Sequence, residues 1–355
     1  MTGPSAWWLT GLPKAEVHLH LEGCLDGVLV TRAAERHGVP PHPAWEDGRP
    51  VISSLGQLLD YLDWSCALID QPDELFTVAY DTALRAGVSG ARHVDAIVNP
   101  THWPAWRGRL GPMVDALDAG FAAAEQDGQA TATLCLSVKR SQSRQEALDL
   151  VAWMLEVRHR RVSALSVDGD ESGGSNTPRF VEAFAEAAQG GLRTCAHAGE
   201  SSGAQGVREA VELLGAERID HGVRCAEDPS LVAELARRGV PLDICPTSNV
   251  VLGVVPSLAA HPIEPLRRAG VRVSVNTDDP LLYGIDLAGE YRRCTEAFGW
   301  DEQVAAQLAR TSIESCFADE DRRRQLLAQL DAYMGGPPHG DASGAEETGN
   351  SHSSA

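Results

Sequence analysis

The chain of 355 residues is predicted to be an α/β protein, a (β/α)8 TIM barrel carrying a metal site at the C-terminal ends of its strands. Three observations lead there. About eight short apolar runs alternate with helical segments, the rhythm of successive βα units. The runs are apolar on both faces, as strands buried in a parallel sheet are. The residues able to do chemistry sit almost wholly where those runs end, and a barrel gathers those ends on one face.

Trp7 and Trp8 precede the first strand and are read as a cap on one end of the core. Residues 17–21 alternate apolar side chains with histidine at a period of two. On a strand, His18 and His20 therefore share one side while Val17, Leu19 and Leu21 face a core, and Glu22-Gly23 ends the strand at a rim. Helices are expected over 25–36, 55–69 and 73–85, with a Pro-rich loop over 38–50. A second strand spans 91–98, and 104–111 is a Trp/Arg/Gly-rich loop without an assignment. Helix and strand then alternate: helix 113–126, strand 130–138, helix 143–158, strand 162–167, helix 178–189, strand 192–196. The alternation continues through helix 207–214, strand 218–220, helix 229–238, strand 241–245, helix 262–269 and strand 271–275, and further helices fill 287–334. One barrel domain thus spans 1–334. From 335 to 355 the composition turns to Gly, Pro, Ser, His and acid, a tail expected to be disordered.

A net charge of −20 argues against nucleic-acid phosphates or an anionic membrane as partners. No apolar run reaches the roughly 20 residues of a bilayer span, and residues 1–12 carry no basic, then apolar, leader pattern, so a cytoplasmic location is expected. The eight cysteines are scattered without a Cys-x-x-Cys pair and read as small buried apolar residues.

The strand ends supply His18, His20, Gly169, His197, Glu200, His221, Asp278 and Asp279. Three histidines with one aspartate form a nitrogen-rich donor set that suits zinc better than magnesium or calcium. His18, His20, His197 and Asp278 are assigned to one Zn²⁺ ion, with a further position left for water. Glu200 follows His197 after a turn-permitting glycine and can give a proton to a ring nitrogen if burial raises its pKa. His221 is suited either to take a proton from the water or to hold it in line. Of the adjacent Asp278 and Asp279, one ligates and the other reads the substrate. Of the remaining histidines, 37, 42, 93, 102, 159 and 261 are taken as structural or solvent-exposed.

These pieces resemble the adenosine deaminase family of the amidohydrolase superfamily: Pro13-Lys-Ala-Glu-Val-His18-Leu-His20-Leu-Glu22-Gly23, Asp168-Gly169-Asp170-Glu171, His197-Ala-Gly-Glu200, Arg218-Ile-Asp-His221-Gly222, Cys245-Pro-Thr-Ser-Asn249 and Ser274-Val-Asn-Thr-Asp278-Asp279-Pro280. They run in the family's order over roughly residues 10–330. The resemblance implies hydrolytic deamination at C6 of a small-molecule 6-aminopurine: adenosine to inosine and ammonia, or alternatively free adenine or an N9-modified adenosine. It makes Glu200 the donor to N1, places Asp279 on N7 and the Gly169 backbone near N3, and sets His221 on the water. Glu22 stands where adenosine enzymes often have Asp, and Asp220 where they often have Gly, a combination more like the adenine deaminase branch. Glu22 would then reach into the space of a ribose, and Ile97 replaces an arginine often found on the second strand.

Two other readings are weaker. A two-metal amidohydrolase built on a carbamylated lysine would need that lysine at the end of the fourth strand, which ends instead in Asp168-Gly169; the chain's lysines are Lys14 and Lys139 alone. A purine sensor on an inactive scaffold would lack a catalytic residue, yet Glu200 and His221 are both present.

Overall fold

The computed structural model describes residues 3–46, 49–172 and 177–336. Helix α1 (Ala6–Gly11) is capped by Ser5, whose hydroxyl accepts the Trp8 N–H, and leads into β1 (Lys14–His20). Trp8 is buried but Trp7 is 64% exposed, so only one of the pair closes the core. A 3₁₀ turn (Leu21–Cys24) and α2 (Gly27–His37) follow, and the Pro-rich loop folds a small hairpin of β2 (Trp45–Glu46) and β3 (Arg49–Pro50). Next come α3 (Leu55–Ala67), α4 (Pro72–Val88), β4 (Ala91–Val98) and α5 (Leu110–Gln126). The stretch before α5, left open by the sequence, is two 3₁₀ turns, Pro100–His102 and Pro104–Trp106, that bury Trp103 and Trp106.

The βα alternation then holds: β5 (Thr131–Lys139), α6 (Arg144–Val157), β6 (Val162–Asp168), α7 (Val181–Gln189), β7 (Arg193–Ala198), α8 (Ala204–Glu212), β8 (Arg218–His221) and α9 (Pro229–Arg238). It ends with β9 (Leu242–Ile244), α10 (Pro246–Val251), α11 (Ile263–Arg268), β10 (Val273–Val275), α12 (Pro280–Tyr283), α13 (Leu287–Phe298), α14 (Glu302–Ser315) and α15 (Glu320–Gly335). Pro246-Thr-Ser-Asn249, from the Cys245–Asn249 motif, is the start of α10; Pro246 takes the first helical position, where its missing N–H costs nothing. The tail boundary at 335 falls on the last residue of α15, and 337–355 lie outside the described residues.

Eight strands pair in parallel in the order β1-β4-β5-β6-β7-β8-β9-β10, the (β/α)8 barrel expected. The seam between the last strand and the first is stitched by Asp278: its N–H donates to the His18 carbonyl (3.1 Å), and its carbonyl accepts the His20 N–H (2.8 Å). A predicted ligand and the barrel's closure are thus one residue. The barrel interior is less apolar than the pattern suggested. Beneath the rim, buried Arg218 pairs with Asp95 and with Asp243 (2.7 Å) and lies 3.9 Å from the Phe317 ring centroid. Removing one partner of such a buried cluster leaves an uncompensated charge, at a cost of roughly 3–5 kcal/mol. Ile97 packs with Cys135, Ala164, Cys195 and Phe317 and does not line the space at the rim. All eight cysteines are buried and unpaired, as read from their spacing.

Candidate active site

Each predicted ligand owes its position to a strand end. His18 and His20 leave β1 on one side, His197 leaves β7, and Asp278 stands just past β10 with φ of +67°. His221, the last residue of β8, has φ of +64°. Positive φ in non-glycine residues costs energy and clusters where the surroundings over-determine a site; among the described residues only Arg158 shares it. One donor atom from each of His18, His20, His197 and Asp278 lies within 4.8 Å of the others, and all four residues are buried or nearly so.

Hydrogen bonding orients these rings for a cation. His18 Nδ1 faces the Asp243 carbonyl and His197 Nδ1 faces the Val167 carbonyl, both at 3.1 Å. A carbonyl only accepts, so each Nδ1 carries the proton and each Nε2 presents a lone pair. His18 Nε2 then looks at Asp278 Oδ1 across 3.2 Å, acceptor against acceptor, and has no hydrogen-bond partner. His20 Nε2 lies 2.9 Å from His197 Nε2. A divalent cation among these atoms removes the conflict, so the donor set fits zinc. Asp220, on β8, puts a carboxylate oxygen 3.3 Å from His197 Nδ1, a second support for that ring.

The remaining predicted residues surround this cluster. Glu200 is buried, and its Oε1 is 3.5 Å from His221 Nε2. Burial, with Asp278 adding to it, pushes the Glu200 carboxyl up to about 8. Gly199 lets the chain turn with φ of +72°, bringing Glu200 back over the rim. Gly169, at φ of +90°, and Asp279 also line the space, which measures about 30 Å³ and is roofed by Leu55, Leu58, Leu59 and Leu62 of α3. Asp279 is pressed against Gly23, where an added Cβ would stand 2.1 Å from Asp279 Oδ1; that contact explains the glycine after Glu22. Burial, with Asp278 beside it, holds the Asp279 carboxyl well above its ordinary range. Glu22 lies not at an open rim but inside the 3₁₀ turn, fully buried. Its Oε1 accepts the Trp103 indole N–H (2.7 Å) and the Asn99 N–H (2.8 Å), while Oε2 has no partner.

Several contributors were given no role at the site by the sequence, although Glu171 and Ser248 fall within the quoted motifs. His102, grouped with the structural histidines, lines the space, its Nδ1 2.5 Å from Asp63 on α3. Ser248 donates to Asp278 Oδ2 at 2.7 Å. Glu171 gathers the N–H groups of Gly199, Glu200, Ser201 and Ser202 and the Ser202 hydroxyl, freezing the turn that carries Glu200. Glu171→Gln keeps the shape but removes the charge that four amides share. It is expected to lower kcat about tenfold, with metal content unchanged, and to cost about 2 kcal/mol of stability, the worth of charge-assisted hydrogen bonds. Steady-state kinetics beside a denaturant titration checks both.

The parallel barrel with a histidine-rich cluster at its C-terminal rim defines a hydrolase of the amidohydrolase kind, and comparison with known proteins places it more closely. The family described as adenosine deaminase matches residues 13–333, and the chain belongs to that family. A protein from Cupriavidus necator named adenine deaminase is 34% identical over 330 residues, covering 92% of this chain and 93% of its own. The crystal structure of adenine deaminase from Arthrobacter aurescens superposes with a TM-score of 0.84 at 31% identity, over 91% of this chain and 99% of that one. An amidohydrolase from B. ambifaria with bound zinc gives a TM-score of 0.83 at 27% identity, over 94% and 95% of the two chains.

Proposed function

We propose that the protein is a zinc-dependent hydrolase that removes the 6-amino group of a purine as ammonia, with free adenine as its preferred substrate. The observation that carries the chemistry is the convergence of His18, His20, His197 and Asp278 beside a buried Glu200 and His221, whose facing atoms are 3.5 Å apart. When bound, zinc supplies the Lewis acid that makes a water nucleophilic near neutral pH. Glu200 gives its proton to ring N1, which draws electrons away from C6. The water oxygen bonds to C6 as the water gives up its two protons. One passes to the exocyclic nitrogen, whose bond to C6 breaks so that it leaves as ammonia, and the other restores the Glu200 acid. His221 either takes a proton from the water or holds it in line, Asp279 and the Gly169 backbone grip the purine edge, and the leucines of α3 exclude solvent.

Preference for the free base over adenosine, the substrate first expected, is supported by the names of the relatives and by unpaired acceptors. Among the buried carboxylate oxygens without hydrogen-bond partners, Asp168 Oδ2 and Asp279 Oδ1 belong to residues that line the space. Leaving such groups unsatisfied costs about 1–3 kcal/mol each, so they are suited to a ligand that brings donors. Free adenine carries an imidazole N–H; a nucleoside substituted at N9 carries none. The test is ammonia release by the zinc-loaded protein with adenine, adenosine, deoxyadenosine and an N9-extended adenosine side by side. At least a hundredfold higher kcat/KM for adenine is expected, the scale on which a site built for a hydrogen bond rejects a ligand lacking it. Equal or higher values for the nucleosides would overturn the preference, and ammonia from none of them would overturn the reaction.

A further inference from the structure

His221 has been given two roles above, to take a proton from the water or to hold it in line, and a chain of buried groups behind it decides between them. His261, two residues before the α11 start, is 2% exposed, and its Nδ1 accepts the backbone N–H of Ile263 at 3.1 Å. A backbone N–H only donates, so this nitrogen is unprotonated and the ring's proton sits on Nε2. His261 Nε2 therefore donates to Asn249 Oδ1, also at 3.1 Å. The opposite amide orientation would ask a neutral His261 to accept at both ring nitrogens, which leaves its proton nowhere to go. With Oδ1 fixed toward His261, the Asn249 Nδ2 group donates to His221 Nδ1 at 3.1 Å. His221 Nδ1 is then an acceptor, and the proton of its neutral ring lies on Nε2, the nitrogen that faces Glu200 and Asp278.

We propose that His261, acting through Asn249, is a positioning residue that holds His221 in its Nε2–H tautomer, so that His221 serves as a hydrogen-bond donor to the water oxygen and not as its base. The inference rests on the deaminase reading for its consequence, but not for its geometry. When the water's O–H bond breaks, the proton passes instead to a carboxylate. Asp278, and Glu200 once it has given its own proton to N1, are 3.8 and 3.5 Å from His221 Nε2. The chain is well enclosed: Asn249 and His221 are buried with His261, and α10 is anchored by Glu290, which accepts the Thr247 N–H and hydroxyl at 2.5 Å each. Burial also holds the His261 ring down to about 4, in keeping with the neutral ring that the Ile263 contact requires.

The experiment is the nitrogen-15 spectrum of the zinc-loaded, histidine-labelled protein, with the His221 signals assigned by their loss in His221→Gln. The expected result is an unprotonated Nδ1 and a protonated Nε2. Asn249→Asp puts a carboxylate against Nδ1 and is expected to reverse the two assignments. It should lower kcat on the order of 10²- to 10⁴-fold, the scale of a misplaced imidazole proton, with little change in KM. His261→Ala frees the amide and should lower kcat about tenfold, whereas His261→Gln, whose side-chain N–H can still donate to Asn249, should restore most of it. A protonated Nδ1 in the unaltered protein overturns the proposal, as does wild-type kcat in both Asn249→Asp and His261→Ala. Should those variants not fold, the spectrum of the unaltered protein still decides. That spectrum is read without substrate, so the expected tautomer in a protein that releases no ammonia supports this inference while overturning the proposed reaction.

Discussion

Glu200→Gln is expected to fold, bind zinc and bind purine, yet to lose on the order of 10²- to 10⁴-fold in kcat, because an amide in the same place has no proton to give to N1. The side chain is buried, so the swap conserves volume and removes only the acid. The turn that carries it is held through backbone N–H groups by Glu171 and stays in place. A pH profile gives the sign. Burial raises the Glu200 carboxyl from its ordinary value of 4.5 to about 8, so the acid form persists at neutral pH. The wild-type rate should therefore be full below that value and fall as pH rises through it, with a nearby zinc ion moving the fall to lower pH. In Glu200→Gln this alkaline fall should vanish from the residual rate. A variant with near-normal kcat would remove Glu200 from the mechanism.

His197→Ala is expected to abolish activity by a different route, through loss of the metal. His197 Nε2 is one of four converging donors, and its carbonyl is separately held by buried Arg140 at 2.6 Å, so the strand end survives the substitution. Altering a supporting residue around a metal ligand typically costs 10- to 100-fold in affinity, and losing a ligand should cost at least about 100-fold. Elemental analysis of the purified variant should find little zinc. Because a metal that binds only the folded state stabilises it by mass action, a chelator should lower the Tm of the unaltered protein and leave that of His197→Ala unmoved. Full zinc occupancy in the variant would mean that the cluster is not the metal site.

Much of this was legible in the chain itself, for reasons tied to particular residues. The period of two over residues 17–21 can only put His18 and His20 on one side of a strand, whatever the strand packs against. Polar residues that recur at the ends of apolar runs need a barrel to bring them together, and they come together here. Element boundaries such as Ala91–Val98 and Pro229–Arg238 follow from local punctuation by Gly, Asn and Pro, and the structure repeats them.

Other features depended on contacts between residues far apart in sequence, which no local pattern encodes. Nothing near Glu22 announces that Trp103 and Asn99 will take its Oε1 and leave Oε2 unpaired. Nothing around His261 distinguishes it from other polar residues on a loop, yet the Ile263 N–H and Asn249 tie it to His221. The charges of Asp95, Arg218 and Asp243 lie on different strands and make sense only once the barrel has closed around them. The sequence by itself determined which polar side chains meet at the strand ends. Only the tertiary structure decided their protons, because a ring's tautomer and a carboxyl's pKa follow from what stands within hydrogen-bond reach in a space closed to water.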